Sequence, residues 1–359
     1  MEHPFAYLNT NSTYATKTGY YNPSDLGYDD MVILRKEKMK TFEMIKKLVN
    51  AKETATVILN SGATESIATC INWAKHYNAY GSIYGTEFDH SSVKKNVINQ
   101  DMEYKLIDEG IENAAGIFLT HVNSRTGEIL DDNYLHISDK LFSLQEATSD
   151  FEADVATVPY QPLIFLDVSQ SIMKTKVDMQ DAHANALFFS LHKIGGPTDM
   201  GVLVIDAPAS KSFIPLIAGE QNNGMRGGTM NEMLFVQNRD IFTTLSLPEN
   251  RIRKWNSMKK ILIEHNVKII EPKGKHIYNT FLIDTETKDC PLALVHELAK
   301  HNIYVGTVSA CEGEAIYNGK ISGGSDNNTY IRLSFDDPSD INNSVMTTLC
   351  SVISTFKNE

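Results

Sequence analysis

The sequence predicts an α/β layered domain built on a mainly parallel sheet, followed by a smaller α+β domain. Two observations carry the first part. Short apolar runs at Ala55 to Leu59, Gly116 to Val122, Leu163 to Val168, Ala186 to Phe189 and Gly201 to Ile205 are unbroken rather than alternating, which suits central strands covered on both faces. Helical patterns separate these runs, and strands alternating with helices argue for a parallel sheet between helical layers. A third observation carries the second part: the texture changes around Leu247-Pro248-Glu249.

Taken in order, the elements are these. The Ala55 strand runs into Asn60-Ser61-Gly62-Ala63-Thr64-Glu65, which turns into a helix reaching Tyr77. The cations from Arg35 to Lys47 are spread around a helical pattern and interleaved with Glu37 and Glu43, as on a solvated face. Residues Ser149 to Gln161 are acidic and then proline-containing, and read as a loop before the Leu163 strand. Beyond the change of texture the pattern predicts a helix (Arg251 to Glu264), strands (Val267 to Ile270 and Ile277 to Ile283) and a helix (Pro291 to His301). Strands at Ile303 to Val305 and Tyr330 to Phe335 follow, then a last helix from Ser339 to Lys357. Gly306 to Thr329 is rich in Gly, Ser and Asn and lacks periodicity, the texture of a functional loop. The expected division is a large domain over 12–245, with 1–11 and 246–359 forming the small one.

Composition narrows the function classes. The chain has 359 residues, 42% hydrophobic and 22% charged, an ordinary globular composition with ample apolar content for two cores. A net charge of -12 repels nucleic-acid phosphates and anionic lipid. Neither a nucleic acid nor a membrane is therefore an expected partner, and no apolar stretch approaches the ~20 residues a membrane helix needs. Met1 to Asn11 lacks the pattern of a signal peptide. Cys70, Cys290, Cys311 and Cys350 form no CxxC pair and no disulfide framework. No metal site, internal repeat or low-complexity tract is evident. The expected compartment is the cytoplasm.

Three places could carry chemistry together. Ser190-Leu191-His192-Lys193 follows a buried strand and precedes Gly195-Gly196-Pro197. A lysine on such a tight turn can reach a bound aldehyde, and desolvation there would free its lone pair. Asp167 ends another buried strand, where ligands of α/β sheets bind, and a carboxylate is the partner a pyridinium nitrogen needs. Ser61-Gly62-Ala63-Thr64 opens a helix directly after a strand, so its free N–H groups and the helix dipole favour a phosphate. Each alone is ordinary: a surface lysine, a turn-capping aspartate, a helix cap. Their conjunction in chain order points to pyridoxal 5'-phosphate. Cys311 lies in the Gly/Ser-rich loop, where a nucleophile could swing between a cofactor and an outside acceptor. Glu312 and Glu314 beside it would raise its pKa unless they face away. His90 could stack on a cofactor ring and shuttle protons.

These segments resemble the class V aminotransferase superfamily of fold-type I pyridoxal-phosphate enzymes, and within it the NifS/IscS-like cysteine desulfurases. The resemblance runs from about Tyr7 to Ile341. Tyr7-Leu8-Asn9 and Asn22-Pro23-Ser24 are similar to its N-terminal motifs. Ser61 to Ser66 is similar to its phosphate-binding stretch, which implicates Ala63 and Thr64. Asp89-His90-Ser91-Ser92-Val93 resembles the segment whose histidine stacks on the ring. His121-Val122-Asn123 resembles the one whose asparagine lies near the cofactor's phenolic oxygen. The resemblance further implies that Asp167 and Gln170 hold the pyridine nitrogen and that oxygen. It implies that Ser190 and His192 touch phosphate, and that Lys193 carries the cofactor. Thr229, in Gly224-Met225-Arg226-Gly227-Gly228-Thr229, would reach the partner subunit's phosphate, so a homodimer is implied. Val308-Ser309-Ala310-Cys311 is similar to the segment whose cysteine accepts sulfur, and Ile331-Arg332-Leu333-Ser334 to the strand whose arginine grips the substrate carboxylate, with Asn123 also beside substrate. The implied fold is fold type I, with a seven-stranded sheet in the large domain.

The sequence departs from that family in places. Fewer residues than usual separate Thr13 from Asn22, Gln221-Asn222-Asn223-Gly224 stands where the family has Q-E-R-G, and Asn123-Ser124-Arg125 where it has N-N-E. The stretch between Cys311 and Arg332 is shorter and carries Gly323-Gly324-Ser325 instead of a leucine-rich helix. The expected activity is cysteine desulfuration: sulfur leaves L-cysteine, alanine forms, and a Cys311 persulfide passes sulfur to an acceptor protein. Alternatives are another class V activity, selenocysteine lyase or aminotransferase, or a catalytically silent binding protein with the same fold.

Overall fold

The computed structural model describes residues 29–137, 139, 141, 161–207, 209–243, 248–286, 291–307, 330–335 and 342–358. The N-terminal motifs at Tyr7 and Asn22, the 149–160 loop and the segment holding Cys311 lie outside the described residues. The chain divides into two compact units, one of Met1–Leu119, His136–Ile172 and Lys176–Thr244, the other of Thr120–Leu135, Met173–Thr175 and Leu245–Glu359. The second unit thus takes in 120–135 and 173–175, which the sequence reading assigned to the large domain.

The first unit is built on a seven-stranded sheet. Its strands are β1 (Thr56–Asn60), β2 (Ser82–Gly85), β3 (Tyr104–Leu106), β4 (Ala114–Thr120), β5 (Leu163–Asp167), β6 (Ala186–Ser190) and β7 (Gly201–Ile205), in the order β1-β7-β6-β5-β4-β2-β3. β2 pairs parallel with β3 and β4, and β5 with β6. β7 runs antiparallel to both neighbours, β1 and β6. The sheet is therefore mainly parallel, as expected, with one reversed strand. The reason is the short link from Ser190 to Gly201, too short for the crossover that parallel neighbours require, so the chain returns directly and pairs Ser190 with Gly201. β2 and β3 were not legible as apolar runs: β2 reads Ser-Ile-Tyr-Gly and β3 is three half-buried residues.

Helices α1 (Asp29–Leu48), α2 (Ala63–Tyr77) and α3 (Ser91–Asn99) belong to this unit. α2 buries Ile67, Cys70, Ile71 and Ala74, spaced at one face of a 3.6-residue period, against sheet residues such as Phe118, Phe165, Phe188 and Leu203. Trp73 meets Phe165 at a centroid distance of 5.8 Å, and Phe165 meets Phe118 at 4.9 Å, separations that add favourable aromatic contact to the burial itself. This packing fixes the start of α2 at the end of β1.

The second unit holds α4 (Asp132–Leu135). Among its described residues is a four-stranded antiparallel sheet, order β10-β11-β9-β8, of β8 (Lys268–Ile270), β9 (Thr280–Asp284), β10 (Gly306–Thr307) and β11 (Tyr330–Ser334). In chain order the remaining helices are α5 (Glu232–Gln237), in the first unit, and α6 (Pro248–Glu264), α7 (Pro291–Lys300) and α8 (Asn343–Asn358), in the second. Trp255, Phe281, Leu298, Ile331 and Cys350 share the second unit's core. The strand expected at Ile303 to Val305 begins instead at Gly306. Asn302 takes a left-handed conformation (φ 58°) and the Ile303 N–H donates to Leu298 O at 3.1 Å, so these residues close the end of α7 and cannot yet pair in a sheet.

Candidate active site

β5 and β6 are parallel neighbours, and Asp167, Ser190 and Lys193 lie at or just past their C-terminal ends, where open α/β sheets bind ligands. Asp167 is the last residue of β5 and pairs with Phe188 of β6. Ser190 ends β6, and Lys193 lies in the short 3-10 helix Leu191–Ile194 that follows. Asp167 is buried, and its Oδ1 accepts the Ser169 N–H at 2.8 Å. Burial pushes its carboxyl above the ordinary aspartate value; the bonds from Ser169 and the charges of His90 and Lys193 pull the other way without overcoming it. His90, Asp167 and Lys193, brought from three separate segments, are thus electrostatic neighbours. The Ser169 side chain beside them is buried as well.

The second cluster lies at the start of α2. Ser190 Oγ accepts the Ala63 N–H at 2.8 Å. The turn before α2 is set by Asn60, whose Oδ1 accepts the Gly62 N–H at 3.1 Å and whose Nδ2 donates to Ser66 Oγ at 2.6 Å. Gly62 has φ 147°, a conformation that L side chains rarely adopt. Gly201 presses on this turn: a Cβ there would lie 2.5 Å from Gly62 Cα. Thr64 is exposed on the first turn of α2. His192 is exposed, and burial of its ring followed by the Lys193 charge holds it below the usual histidine value, against a smaller opposing effect of Asp199. Gln170 sits half-buried in the turn after β5, and Thr229 is exposed in the loop following Gly227.

His90 caps the N-terminus of α3, and its Nδ1 accepts the Ser92 N–H. The turn that presents it is tied by Asp89, whose carboxylate accepts from Thr86 N and Thr86 Oγ1, both at 3.1 Å, and from Tyr104 Oη at 3.3 Å. These ties and Ser169 were not picked out from the sequence, nor was the ion pair of Arg226 Nε with Glu65 Oε1 at 2.8 Å. Thr86-x-x-Asp89 carried a local turn signal; the Tyr104 tie depends on sheet order and carried none.

Asn123 and Arg332 belong to the second unit. Asn123 Oδ1 accepts the Arg125 N–H at 2.8 Å, its own N–H donates to Glu128 O at 2.8 Å, and a Val122–Ile129 bridge closes the loop. Arg332 on β11 donates from Nη1 to Ser124 O at 2.9 Å, while its buried Nε has no partner. Burial lowers the affinity of the Arg332 guanidinium for its proton. His121, in the same loop, is buried and pushed down to about 4 by that burial, Asp132 opposing weakly, so its imidazole is neutral at neutral pH. Cys70 and Cys350 are buried in the cores. Among the described residues no group of three or more His, Cys, Asp or Glu could hold a metal ion, and no helix is long and apolar enough to cross a membrane.

Residues 149–240, which include Asp167, Ser190 and Lys193, match the class-V aminotransferase family model. Cysteine desulfurase IscS of Stutzerimonas stutzeri (strain A1501) is 25% identical over 192 residues, covering 52% of this chain and 46% of that protein. The chain thus spans about half the length of that relative in the match. Cysteine desulfurase IscS of Buchnera aphidicola subsp. Acyrthosiphon pisum (strain 5A) is 23% identical over 303 residues, covering 76% of this chain and 68% of the relative. A solved NifS-like protein superposes with a TM-score of 0.74 at 18% identity, covering 94% of this chain and 92% of that one. That likeness shows the shared fold.

Proposed function

We propose that this chain, a divergent NifS/IscS-like relative of the class-V aminotransferases, is a pyridoxal-phosphate enzyme that removes sulfur from L-cysteine. The observation that carries the reading is Asp167, buried at the C-terminal end of β5 beside the end of β6 from which Lys193 follows, its carboxyl raised by burial against the opposing charges of His90 and Lys193. A buried carboxylate is costly unless something is to meet it. The residues fit the cofactor. Lys193 would carry it through Nζ, and Asp167 would face the ring nitrogen and keep its proton there. Ala63, Thr64, Ser190 and His192 would hold the phosphate, and Gln170 and Asn123 would lie near the phenolic oxygen. Thr229, exposed in this chain, would reach the phosphate of a second copy in a homodimer. When bound, the cofactor supplies an electron-poor ring that stabilises negative charge at the substrate's Cα.

The chain's own groups do the rest. Arg332 binds the substrate carboxylate; Ser124 O occupies its Nη1, and the unpartnered Nε is a donor still to be met. Lys193 Nζ, released when the substrate's amine takes its place on the cofactor, would take the proton from Cα. Cys311, as thiolate, attacks the substrate sulfur: an S–S bond forms, the Cβ–S bond breaks, and its electron pair stays on carbon to be protonated. The products balance as alanine and a Cys311 persulfide, and an acceptor protein then takes the terminal sulfur. A reducing cytoplasm suits this thiol chemistry.

The test is a purified, cofactor-loaded protein given L-cysteine and a dithiol, with alanine and sulfide measured together. Equal amounts of both support the reading. Lys193→Ala should lose both; Cys311→Ser should keep the cofactor's absorbance and lose sulfide. Alanine requiring an added keto acid would instead indicate a transaminase, and turnover confined to L-selenocysteine a selenocysteine lyase. A protein that takes up no cofactor would defeat the reading.

A further inference from the structure

We infer that Ser92, together with a clamp centred on Asp89, fixes His90 as the imidazole tautomer that carries its proton on Nε2, so that His90 gives and takes protons at Nε2. The role in turnover rests on the desulfurase reading; the tautomer itself does not.

The argument begins with the turn. β2 ends at Gly85, and after four intervening residues the chain enters α3 through His90. Asp89 accepts three hydrogen bonds, two from Thr86 and one from Tyr104 on β3. The Phe88 N–H donates to Thr86 Oγ1 at 3.2 Å, and the Asp89 N–H to Thr86 O at 3.2 Å. Burial, followed by the Asp89 carboxylate, pushes the Tyr104 hydroxyl far above its ordinary value, so it stays a donor at every working pH. The clamp has room only because residue 85 is glycine: a Cβ there would lie 2.1 Å from Asp89 Oδ2 and 2.5 Å from Tyr104 Oη. The turn that presents the imidazole is therefore fixed on both sides.

The proton's place follows from donor chemistry. His90 Nδ1 lies 3.2 Å from Ser92 N and 2.7 Å from Ser92 Oγ. A backbone N–H can only donate, so Nδ1 is the acceptor and the hydroxyl donates to the same atom. A neutral imidazole that accepts at one nitrogen carries its hydrogen on the other. A histidine serving only to cap α3 would need an acceptor atom and nothing more. Asn or Asp would serve at least as well, yet this side chain also lies within electrostatic reach of Asp167. Ser92 is thus a positioning residue, acting through His90.

The full-length protein labelled with 15N-histidine decides this by two-bond N–H correlation spectra at a pH where His90 is neutral, assigned with His90→Asn. The expected spectrum has an unprotonated Nδ1 and a protonated Nε2. Ser92→Ala, which keeps the backbone donor and loses the hydroxyl, should bring in the Nδ1–H form and lower kcat roughly fivefold to tenfold with little change in KM, the scale of one lost hydrogen bond. Ser92→Thr should restore both. A wild-type His90 protonated on Nδ1 overturns the inference, and so does a Ser92→Ala variant with the wild-type tautomer and kcat. The spectra need no turnover, so a protein that fails to desulfurate cysteine would sink the functional reading while leaving the tautomer decided on its own.

Discussion

Arg226 grips Glu65 across 161 positions of sequence, Nε to Oε1 at 2.8 Å and Nη2 to Oε2 at 3.1 Å. Both side chains are largely buried, and Glu65 Oε2 also accepts the Ser61 N–H at 2.9 Å. The pair therefore ties the Gly224 to Thr229 loop to the turn that opens α2. Burial drives the Glu65 carboxyl upward, but Arg226 and the Ser61 N–H together outweigh it and leave the carboxyl below its ordinary value.

The sign of that shift gives a pH prediction. A carboxyl depressed in the folded state adds stability that is fully present above its unfolded value near 4.5 and is lost as pH falls through the lower folded value. Glu65→Gln should flatten the acid limb of a stability-against-pH curve. Arg226→Gln, which strands the carboxylate, should cost about 2–3 kcal/mol at pH 7 in denaturant unfolding, the lower end for a broken pair that is not fully buried. Removing both partners should cost less than removing Arg226 alone.

Asp167 makes the opposite trade. Its carboxyl is raised by burial, so its ionised form weighs against folding above that raised value and the penalty lifts as pH falls. Asp167→Asn keeps an oxygen for the Ser169 N–H and removes the charge. The cofactor-free variant should melt higher than wild type at neutral pH, while desulfuration falls roughly 100- to 1000-fold with the loss of a fixed charge at the reacting centre. A variant with a lower melting temperature and full activity would contradict both halves.

Gly201→Ala should unsettle the α2 turn. The added methyl would lie 2.5 Å from Gly62 Cα and 2.8 Å from Gly62 C, backbone atoms that cannot swing aside. The overpacking should cost about 1–3 kcal/mol, and the titration of apoprotein with pyridoxal phosphate should show weakened uptake.

Arg332→Gln should raise KM for L-cysteine roughly 10- to 100-fold, the range of one charge-assisted hydrogen bond. Initial-rate kinetics check this; an unchanged KM would remove Arg332 from the carboxylate role.

Thiol labelling separates the cysteines. Cys70 and Cys350 are fully buried, and burial pushes both thiols up, Cys350 to about 11. Iodoacetamide at neutral pH should leave both intact in the folded protein, as peptide mass mapping would show. Inactivation should track modification of Cys311. Rapid alkylation of Cys70 without unfolding would be the contrary result.

The sequence by itself marked five of the first unit's strands and the helix that follows β1, and it put Asp167, Ser190 and Lys193 at strand ends. That much is local: unbroken apolar runs mark strands, and a lysine or aspartate directly after one can only lie at its exit. Tertiary structure alone decided which ends meet. The reversal of β7 follows from how its short link packs, and it sets Gly201 against Gly62. The placing of β3 beside β2 brings Tyr104 to Asp89, and loop packing brings Arg226 to Glu65. Such contacts join residues that no local periodicity relates, because strand order and side-chain fit are properties of the folded sheet and not of any stretch of chain.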